Sequence, residues 1–575
     1  MTRPASRAAA AGIVLLALLG AGLVVDHQRL DSATMDEPFH ALAGCEYALS
    51  GTYWANLEHP PLVKLVAGAS AGLAGARPPL LPRPFSFATA ESPQPFLYRN
   101  AIPPERLLAA ARRPFPLLHV ALVLLAASVA WRAAGPLAGL GAALLLALEP
   151  TLVAHAGFLH TDVAAALGFF ATVASAHATL CRPSWSRWAG TGLLLGLSLA
   201  AKFTAVFLGP ILLVLVLAWI LLRKGETGRV SLAPLAGLAL ATVVGTVVLL
   251  AVYAVSLRSM DPGEAERSAR LFLRNRLVPS ETVERVAALS RLLPPAGHYV
   301  AGLAGIVEQN RRGGGVNVFR GEVSVDGFPA YFPLAFLVKS SLGFLLALLL
   351  SAALVLARRV RPGFGALVLL LPPAYVVLAS VSSSYNIGVR HVLPAVPFLA
   401  VGAAVAVVRG LPRRAAVVVL PGLGLLQGVE TLAVHPHEVS FFNLAAGGPS
   451  RGHLWLNDSN LDWGQDLERL ARELARRGAE DGTTVAYFGG AYPPYHLPNA
   501  RLYDAARSAL APGLYAVSSY LLAAGPELMA FRGDVPRAAG YERLRRTLRE
   551  RGTPEGRVGY SILLYRLPEE RTPPP

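Results

Sequence analysis

The sequence predicts a polytopic α-helical membrane protein with a small α/β domain at its C-terminal end. Three observations predict it. Of 575 residues, 54% are hydrophobic and only 15% charged, whereas soluble domains carry roughly 25% charged residues. The apolar residues gather in runs of about 18 or more with almost no charge, the length that crosses a hydrocarbon core. After residue 434 the pattern changes to short β-branched and aromatic segments alternating with polar helical ones. Together with a mean hydropathy of +0.47, these exclude a soluble enzyme, a disordered chain, a fibre and a disulfide scaffold.

The first apolar run is AAAAGIVLLALLGAGLVV, residues 8–25, behind Arg3 and Arg7. Its length is that of a span, and the VVDHQRL that follows is a poor small-residue cleavage site, so it reads as a retained anchor rather than a signal peptide. Further runs lie at about 115–131, 135–148, 162–180, 188–201, 203–222, 232–256, 330–357, 364–381, 391–408 and 415–434. That makes about eleven spans. The apolar stretch from 188 to 222 is too long for one helix and divides near Lys202, since a lysine is costly at the bilayer centre and tolerated at its edge.

Charge sets the orientation. The net charge of +16 comes from 52 Lys and Arg against 36 Asp and Glu. The basic residues are scattered in short loops between apolar runs, which argues against a nucleic-acid partner. With the N-terminus inside, the inner loops hold Arg3, Arg7, Arg132, Arg182, Arg187, Arg223, Lys224, Arg229, Arg358, Arg359, Arg361, Arg409, Arg413 and Arg414. These are fourteen basic residues against one acid, Glu226. The short outer connections hold only Lys202 and Arg390, a positive-inside pattern. An odd number of spans then places the C-terminal region outside. Cys45 and Cys181 fall on opposite sides and cannot pair.

The chain therefore divides into a transmembrane region, 1–434, and an extracytoplasmic α/β domain, 435–575. Two long extracytoplasmic loops interrupt the first: 26–114, whose apolar 60–76 is too short to span, and the Arg-rich 257–329, with RGGGVNVFRGE as a flexible centre. In the tail, 483–490, 512–522 and 559–567 read as strands, and 464–478 and 541–552 as helices. Leu467, Leu470, Ala471 and Leu474 form the apolar stripe of the first helix. The terminal RTPPP reads as disordered, and no internal repeat is present.

Ionisable groups at span ends mark where chemistry could lie. One cluster is MDEPFH, residues 35–40, with Asp36, Glu37 and His40, followed in the same loop by NLEHPPLVK with Glu58, His59 and Lys64. The other is EPTLVAHAGFLHTDVAAALGFF, residues 149–170, in which Asp162 opens an apolar span. Locally, Asp36 and Glu37 could be ordinary loop acids and Asp162 a first-turn helix acid.

The order of these elements resembles the GT-C class of integral-membrane glycosyltransferases, and within it glycosyltransferase family 39 in the broad sense. That family covers protein O-mannosyltransferases and bacterial transferases similar to aminoarabinose transferase. The resemblance rests on the acidic pair after the first span, HPPLVK at 59–64, and GLLLGLSLAAKFTAVFLGP at 192–210. It also rests on YFPLAFLVKSSLG at 331–343, YNIGVRHVLPAVPFL at 385–399 and NDSNLDWGQDLERL at 457–470. It implies a GT-C fold in a bacterial inner membrane and a cell-envelope enzyme. The implied reaction takes a sugar from a polyprenyl-phosphate donor on the extracytoplasmic face and passes it, with inversion, to a hydroxyl of a protein, lipid or glycan.

The resemblance assigns Asp36 as catalytic base, with Glu37 as reserve. An alcohol is a poor nucleophile and needs such a base. The leaving lipid phosphate departs as a stable anion, so a positive charge matters more than a general acid. Lys202 and Arg390, and more weakly Lys64 and Lys339, are the candidates for the donor phosphate. Asp162 would orient the acceptor or reinforce the base, and Glu58 with His59 would support the loop. Some relatives bind a divalent metal near this loop and others need none. Glu58, His59, His155 and His160 could supply ligands, though no tight metal-binding spacing is present. The acid-rich 457–467, with Asp458, Asp462 and Asp466, reads as a structural turn or as an edge facing the acceptor. Two other readings stay open, a transporter or lipid flippase and a non-catalytic scaffold that binds lipid-linked sugar. Transporters place ionisable groups near the midplane of broken, repeated helices, whereas these acids lie in loops.

Overall fold

The computed structural model describes residues 3–81, 94–313 and 315–569. The terminal RTPPP lies outside them. Among the described residues eight helices are long and apolar enough to cross a membrane: Ser6–Gln28, Pro104–Ala134, Asp162–Cys181, Phe203–Thr227, Ala233–Ser256, Phe364–Val381, Val389–Gly410 and Arg413–Val434. Two bent pairs bring the number to ten, Pro136–Ala147 with Pro150–Ala156 and Tyr331–Lys339 with Leu342–Leu356. The chain is a multi-pass membrane protein.

One of the eleven expected spans falls outside this count by length alone. The run expected at 188–201 is the helix Trp185–Ala201, 17 residues long. It rises about 25 Å and brings Lys202 back to Asp162 at the start of the span Asp162–Cys181, so it runs the depth of that span and lies at the short end of the crossing range. The division at Lys202 is present. Ala201 ends that helix, Lys202 is extended, and a 3-10 turn Phe203–Phe207 leads into Leu208–Thr227.

Small residues let the helices approach. A Cβ on Gly192 or Gly196 would lie 2.5 Å from the carbonyl of Ala241 or Gly245, so Trp185–Ala201 and Ala233–Ser256 pack backbone to backbone. The two bent pairs lock each other at their breaks. Ser341 Oγ donates to Glu149 Oε2 at 3.2 Å and Thr151 Oγ1 to the Lys339 carbonyl at 2.6 Å. Glu430 accepts the free N–H of Leu342 at 2.6 Å, satisfying a donor that the start of a helix leaves open.

The first long loop folds as helices Glu37–Cys45 and Leu62–Leu73, which cross where Gly44 and Gly68 touch backbone to backbone. In the second, helices Pro262–Asn275, Ser280–Leu292 and Pro294–Arg311 precede a hairpin of β1 (Asn317–Phe319) and β2 (Glu322–Ser324). The segment expected to be a flexible centre is therefore largely a hairpin, bridged at Phe319 to Leu456.

Past Val434 the chain runs through short 3-10 turns into a five-stranded sheet. Its strands are β3 (Thr484–Ala486), β4 (Arg501–Leu502), β5 (Gly513–Ser518), β6 (Thr553–Val558) and β7 (Ile562–Leu567), in the order β4-β3-β5-β7-β6. β3 runs parallel to β4 and β5, and β7 antiparallel to β5 and β6. The strand expected at 512–522 stops at Ser518, because SYLLAAGPELMAF continues as the helix Ser519–Phe531. Leu467, Leu470 and Leu474 of the helix Leu467–Arg477 are fully buried, as the stripe requires. They share one core with Val485, Leu514 and Leu564 of the sheet and with Ala41, Leu107 and Leu159. The C-terminal sheet is therefore built onto the first loop, and this seam positions the site.

Candidate active site

Five segments distant in sequence meet at one end of the helix bundle. Met35 N–H donates to the Trp463 carbonyl and Ser32 N–H to the Gln465 carbonyl, each at 2.9 Å. These two bonds fix the loop that carries Asp36. Asp36 precedes the helix Glu37–Cys45, but its side chain makes no capping bond. The carboxylate stays 39% exposed and lies 3.4 Å from Arg390 Nη1.

Arg390 opens the span Val389–Gly410 and is nearly buried, its guanidinium 4.4 Å from the centre of the Trp463 ring. Its Nη1 also lies 4.0 Å from Asp162 Oδ2. Asp162 is fully enclosed and bound through Oδ1 to Lys202 Nζ at 2.5 Å. The charges thus alternate: Lys202, Asp162, Arg390, Asp36. The row is under-bonded. Arg390 Nε and Asp162 Oδ2 have no hydrogen-bond partner, although buried polar atoms are nearly always satisfied. A guanidinium with five donors and only long contacts has capacity to take an anion.

The structure brings together Asp36, Asp162, Lys202 and Arg390 from the residues singled out in the sequence. It corrects the expectation for Glu37. That side chain is fully buried and both oxygens are taken. Arg112 Nε and Nη2 donate at 2.8 and 2.6 Å, Thr34 N and Oγ1 at 2.9 and 3.1 Å, and Leu159 N at 2.9 Å. A carboxylate so saturated has no oxygen for a substrate proton and serves as a strut. Lys64 is corrected on the same ground. Its amine is enclosed on the carbonyls of Asn56 and His59, both at 2.8 Å, so its donors are spent on the loop. Lys339 Nζ is likewise held by the carbonyls of Val439 and Asn460.

Glu58 pairs with Arg276 of the second long loop. The His59 ring faces His40, which faces His160 in turn. His155 and His160 both stand against Trp463 rather than around a common point. Among the described residues no group of three or more His, Cys, Asp or Glu is placed to hold a metal ion. Glu58, His59, His155 and His160, the residues that could supply ligands, are thus not gathered around one point. Burial holds His160 well below the ordinary histidine range and His40 at about 4, the latter also through Lys64. Neutral imidazoles consequently line this side of Asp36, with His160 Nδ1 at 4.0 Å.

Trp463 escapes a sequence reading, and Asp458, read there only as part of an acid-rich turn, gains a defined place. Trp463 is buried, and its ring touches Arg390, His155, Phe158 and His160. The only sequence signal was a tryptophan inside an acid-rich stretch. Asp458 stands in the left-handed region at φ 56, a conformation that costs a non-glycine residue roughly 1–2 kcal/mol. Its turn docks on the chain just before Arg390: Ser459 Oγ donates to the Ile387 carbonyl, and Asn460 Oδ1 accepts from Val389 N–H. Burial pushes the Asp458 carboxyl up to about 7; Arg390 opposes this and Asp36 adds to it.

Neither a protein-family model nor a curated protein sequence matches the chain. Solved structures do. The chain is similar to the S. cerevisiae protein O-mannosyltransferase Pmt1-Pmt2 complex bound to the sugar donor, at 17% identity and a TM-score of 0.35. That match covers 45% of this chain and 35% of the other, so the chain spans about a third of its length. It is similar to the Archaeoglobus fulgidus oligosaccharyltransferase in the apo form at 12% identity and a TM-score of 0.49, over 98% and 75%. ArnT from Cupriavidus metallidurans bound to undecaprenyl phosphate matches at 13% identity and a TM-score of 0.32, over 98% and 99%.

Proposed function

We propose that the protein is an inverting glycosyltransferase. It moves a sugar from a polyprenyl-phosphate donor to an acceptor hydroxyl, on the extracytoplasmic face of a bacterial inner membrane. The observation that carries this reading is the half-exposed Asp36 carboxylate 3.4 Å from the under-bonded Arg390 guanidinium. The donor class comes from the motif resemblance, and the geometry supports the chemistry.

In the proposed step the acceptor oxygen attacks the anomeric carbon from the face opposite the phosphate. Its proton passes to Asp36 as the new C–O bond forms. The bond from the anomeric carbon to the phosphate oxygen breaks, and its electron pair leaves with the lipid phosphate. Arg390 stabilises the charge that develops there. Asp162, held by Lys202, fixes Arg390 from behind and sets the net charge of the row. Trp463 presents a flat face that keeps the guanidinium in place.

The test uses membranes containing the wild-type protein or Asp36→Asn, supplied with labelled polyprenyl-phosphate sugars one at a time. Label leaving the lipid only with the wild type supports the reading and names the donor. Release unaffected by the substitution removes Asp36 from the role of base. No release from any donor, with folded protein and acceptors present, favours the scaffold; sugar-independent movement of lipid across vesicles favours the flippase.

A further inference from the structure

Beyond the Arg413–Val434 helix the chain makes two short turns, Leu444–Ala446 and Pro449–Leu454. They are tied to the ends of two apolar helices. Asn443 Nδ2 donates to the carbonyls of Leu337 and Ser340 at 2.7 and 2.9 Å, and Leu444 N–H approaches Glu430 Oε1 at 3.4 Å. The leucines of the turns continue the apolar surface of those helices. Leu337 and Leu432 are 53% and 60% exposed, and Leu444 and Leu454 are 69% and 56% exposed. Trp455 lies between them, its Nε1 donating to the Ala446 carbonyl at 2.8 Å.

A cleft of about 490 Å³ opens at this rim, lined by Arg320, Leu444, Gly447, Arg451, Leu454 and Trp455, with no acid in its wall. Arg320 comes from the turn between β1 and β2, where its N–H donates to the Trp455 carbonyl at 2.8 Å. Both arginine side chains are exposed, and neither has an acidic partner among the described residues.

Exposed leucines beside unpaired arginines are costly in water and costly in hydrocarbon. They fit the boundary between the two, where apolar side chains meet acyl chains, tryptophan sits at headgroup level and basic residues meet phosphate. We propose that this cleft binds the phosphate of an anionic membrane phospholipid. Arg320 and Arg451 hold the phosphate, and Leu444 and Leu454 lie against its acyl chains. The lipid thereby anchors the C-terminal segment at a fixed height beside the bundle. This proposal does not rest on the glycosyl-transfer reading.

The full-length protein in phosphatidylcholine nanodiscs with a minority of phosphatidylglycerol tests it. Lipid retained on release is counted by native mass spectrometry for the wild type and for Arg320→Gln with Arg451→Gln. The wild type retains phosphatidylglycerol in preference, and the preference falls roughly fivefold per arginine removed. Equal retention of both lipids by the wild type, or an undiminished preference in the variant, overturns the proposal. So does retention of added undecaprenyl phosphate in place of phosphatidylglycerol through the same arginines. A second readout places a nitroxide at Leu444→Cys in a Cys181→Ser background, Cys45 being buried. The label is relaxed more by oxygen than by a water-soluble agent, whereas one at Leu502→Cys, exposed on β4, shows the reverse. A label at 444 that behaves like the one at 502 overturns the placement.

Discussion

Asp36 and Glu37 are adjacent in the chain and opposite in circumstance. Glu37 is sealed away with five donors around its two oxygens. Asp36 keeps more than a third of its surface open, with only long contacts, to Arg390 and to His160. The same contrast separates the cations: Arg112 spends its guanidinium on Glu37 and on the carbonyls of Gln28, Asp31 and Ser32, while Arg390 leaves Nε unpaired. A saturated charge pair holds segments together, and an under-bonded one has capacity left for a ligand. The amount of unused bonding, more than charge or burial, distinguishes the strut from the candidate catalytic group.

Substituting each member of the acidic pair tests this contrast most severely. Asp36→Asn removes a base and leaves packing alone; transfer falls by ~10²–10⁴-fold with an unchanged melting temperature. Glu37→Gln leaves Arg112 buried without its counter-charge, at a cost of about 3–5 kcal/mol, read as a lowered melting temperature and poor yield in detergent. Both substitutions destabilising alike, or Glu37→Gln giving a stable inactive protein, would collapse the distinction.

The cations give the next largest effect. Arg390→Gln removes the charge facing the leaving group and lowers transfer by roughly 10²–10³-fold, with the loss in kcat more than in KM for the donor. Its counterpart Lys64→Met meets no substrate in this geometry; its effect falls on stability, because the carbonyls of Asn56 and His59 lose their donor. A donor-specific loss in Lys64→Met with normal stability would return that lysine to the site.

The sequence reached the polar row because ionisable residues at span ends are expensive and few: Asp162, Lys202 and Arg390 stand out against apolar runs. Periodicity likewise located the buried stripe of Leu467, Leu470 and Leu474. Fates decided by long-range partners stayed hidden. Nothing local to residues 36 and 37 shows that Arg112 closes on one and Arg390, 354 positions away, on the other. Trp463 was invisible for the same reason, since its value lies in what it touches. Trp463→Phe keeps an aromatic face with a weaker pull on the guanidinium; at ~1 kcal/mol for such a contact, transfer falls about fivefold.

The smallest effect separates Asp458 from its neighbours in the same acid-rich turn. Its carboxyl is raised to about 7, with burial as the cause and Arg390 and Asp36 pulling in opposite directions. It also lies in reach of Tyr331, Tyr385 and Tyr520. The folded protein therefore binds this proton more tightly than the unfolded chain. Its contribution is present in full below the ordinary aspartate range and is lost as pH rises toward 7. Asp458→Asn removes that loss, so the melting temperature of the variant exceeds the wild type by ~1–2 °C at pH 8 and matches it at pH 4. If Asp458 also faces the acceptor, the variant raises KM for the acceptor and leaves the donor unaffected. A purely structural turn moves only the melting curve, so the acceptor KM decides between the two readings that the sequence left open.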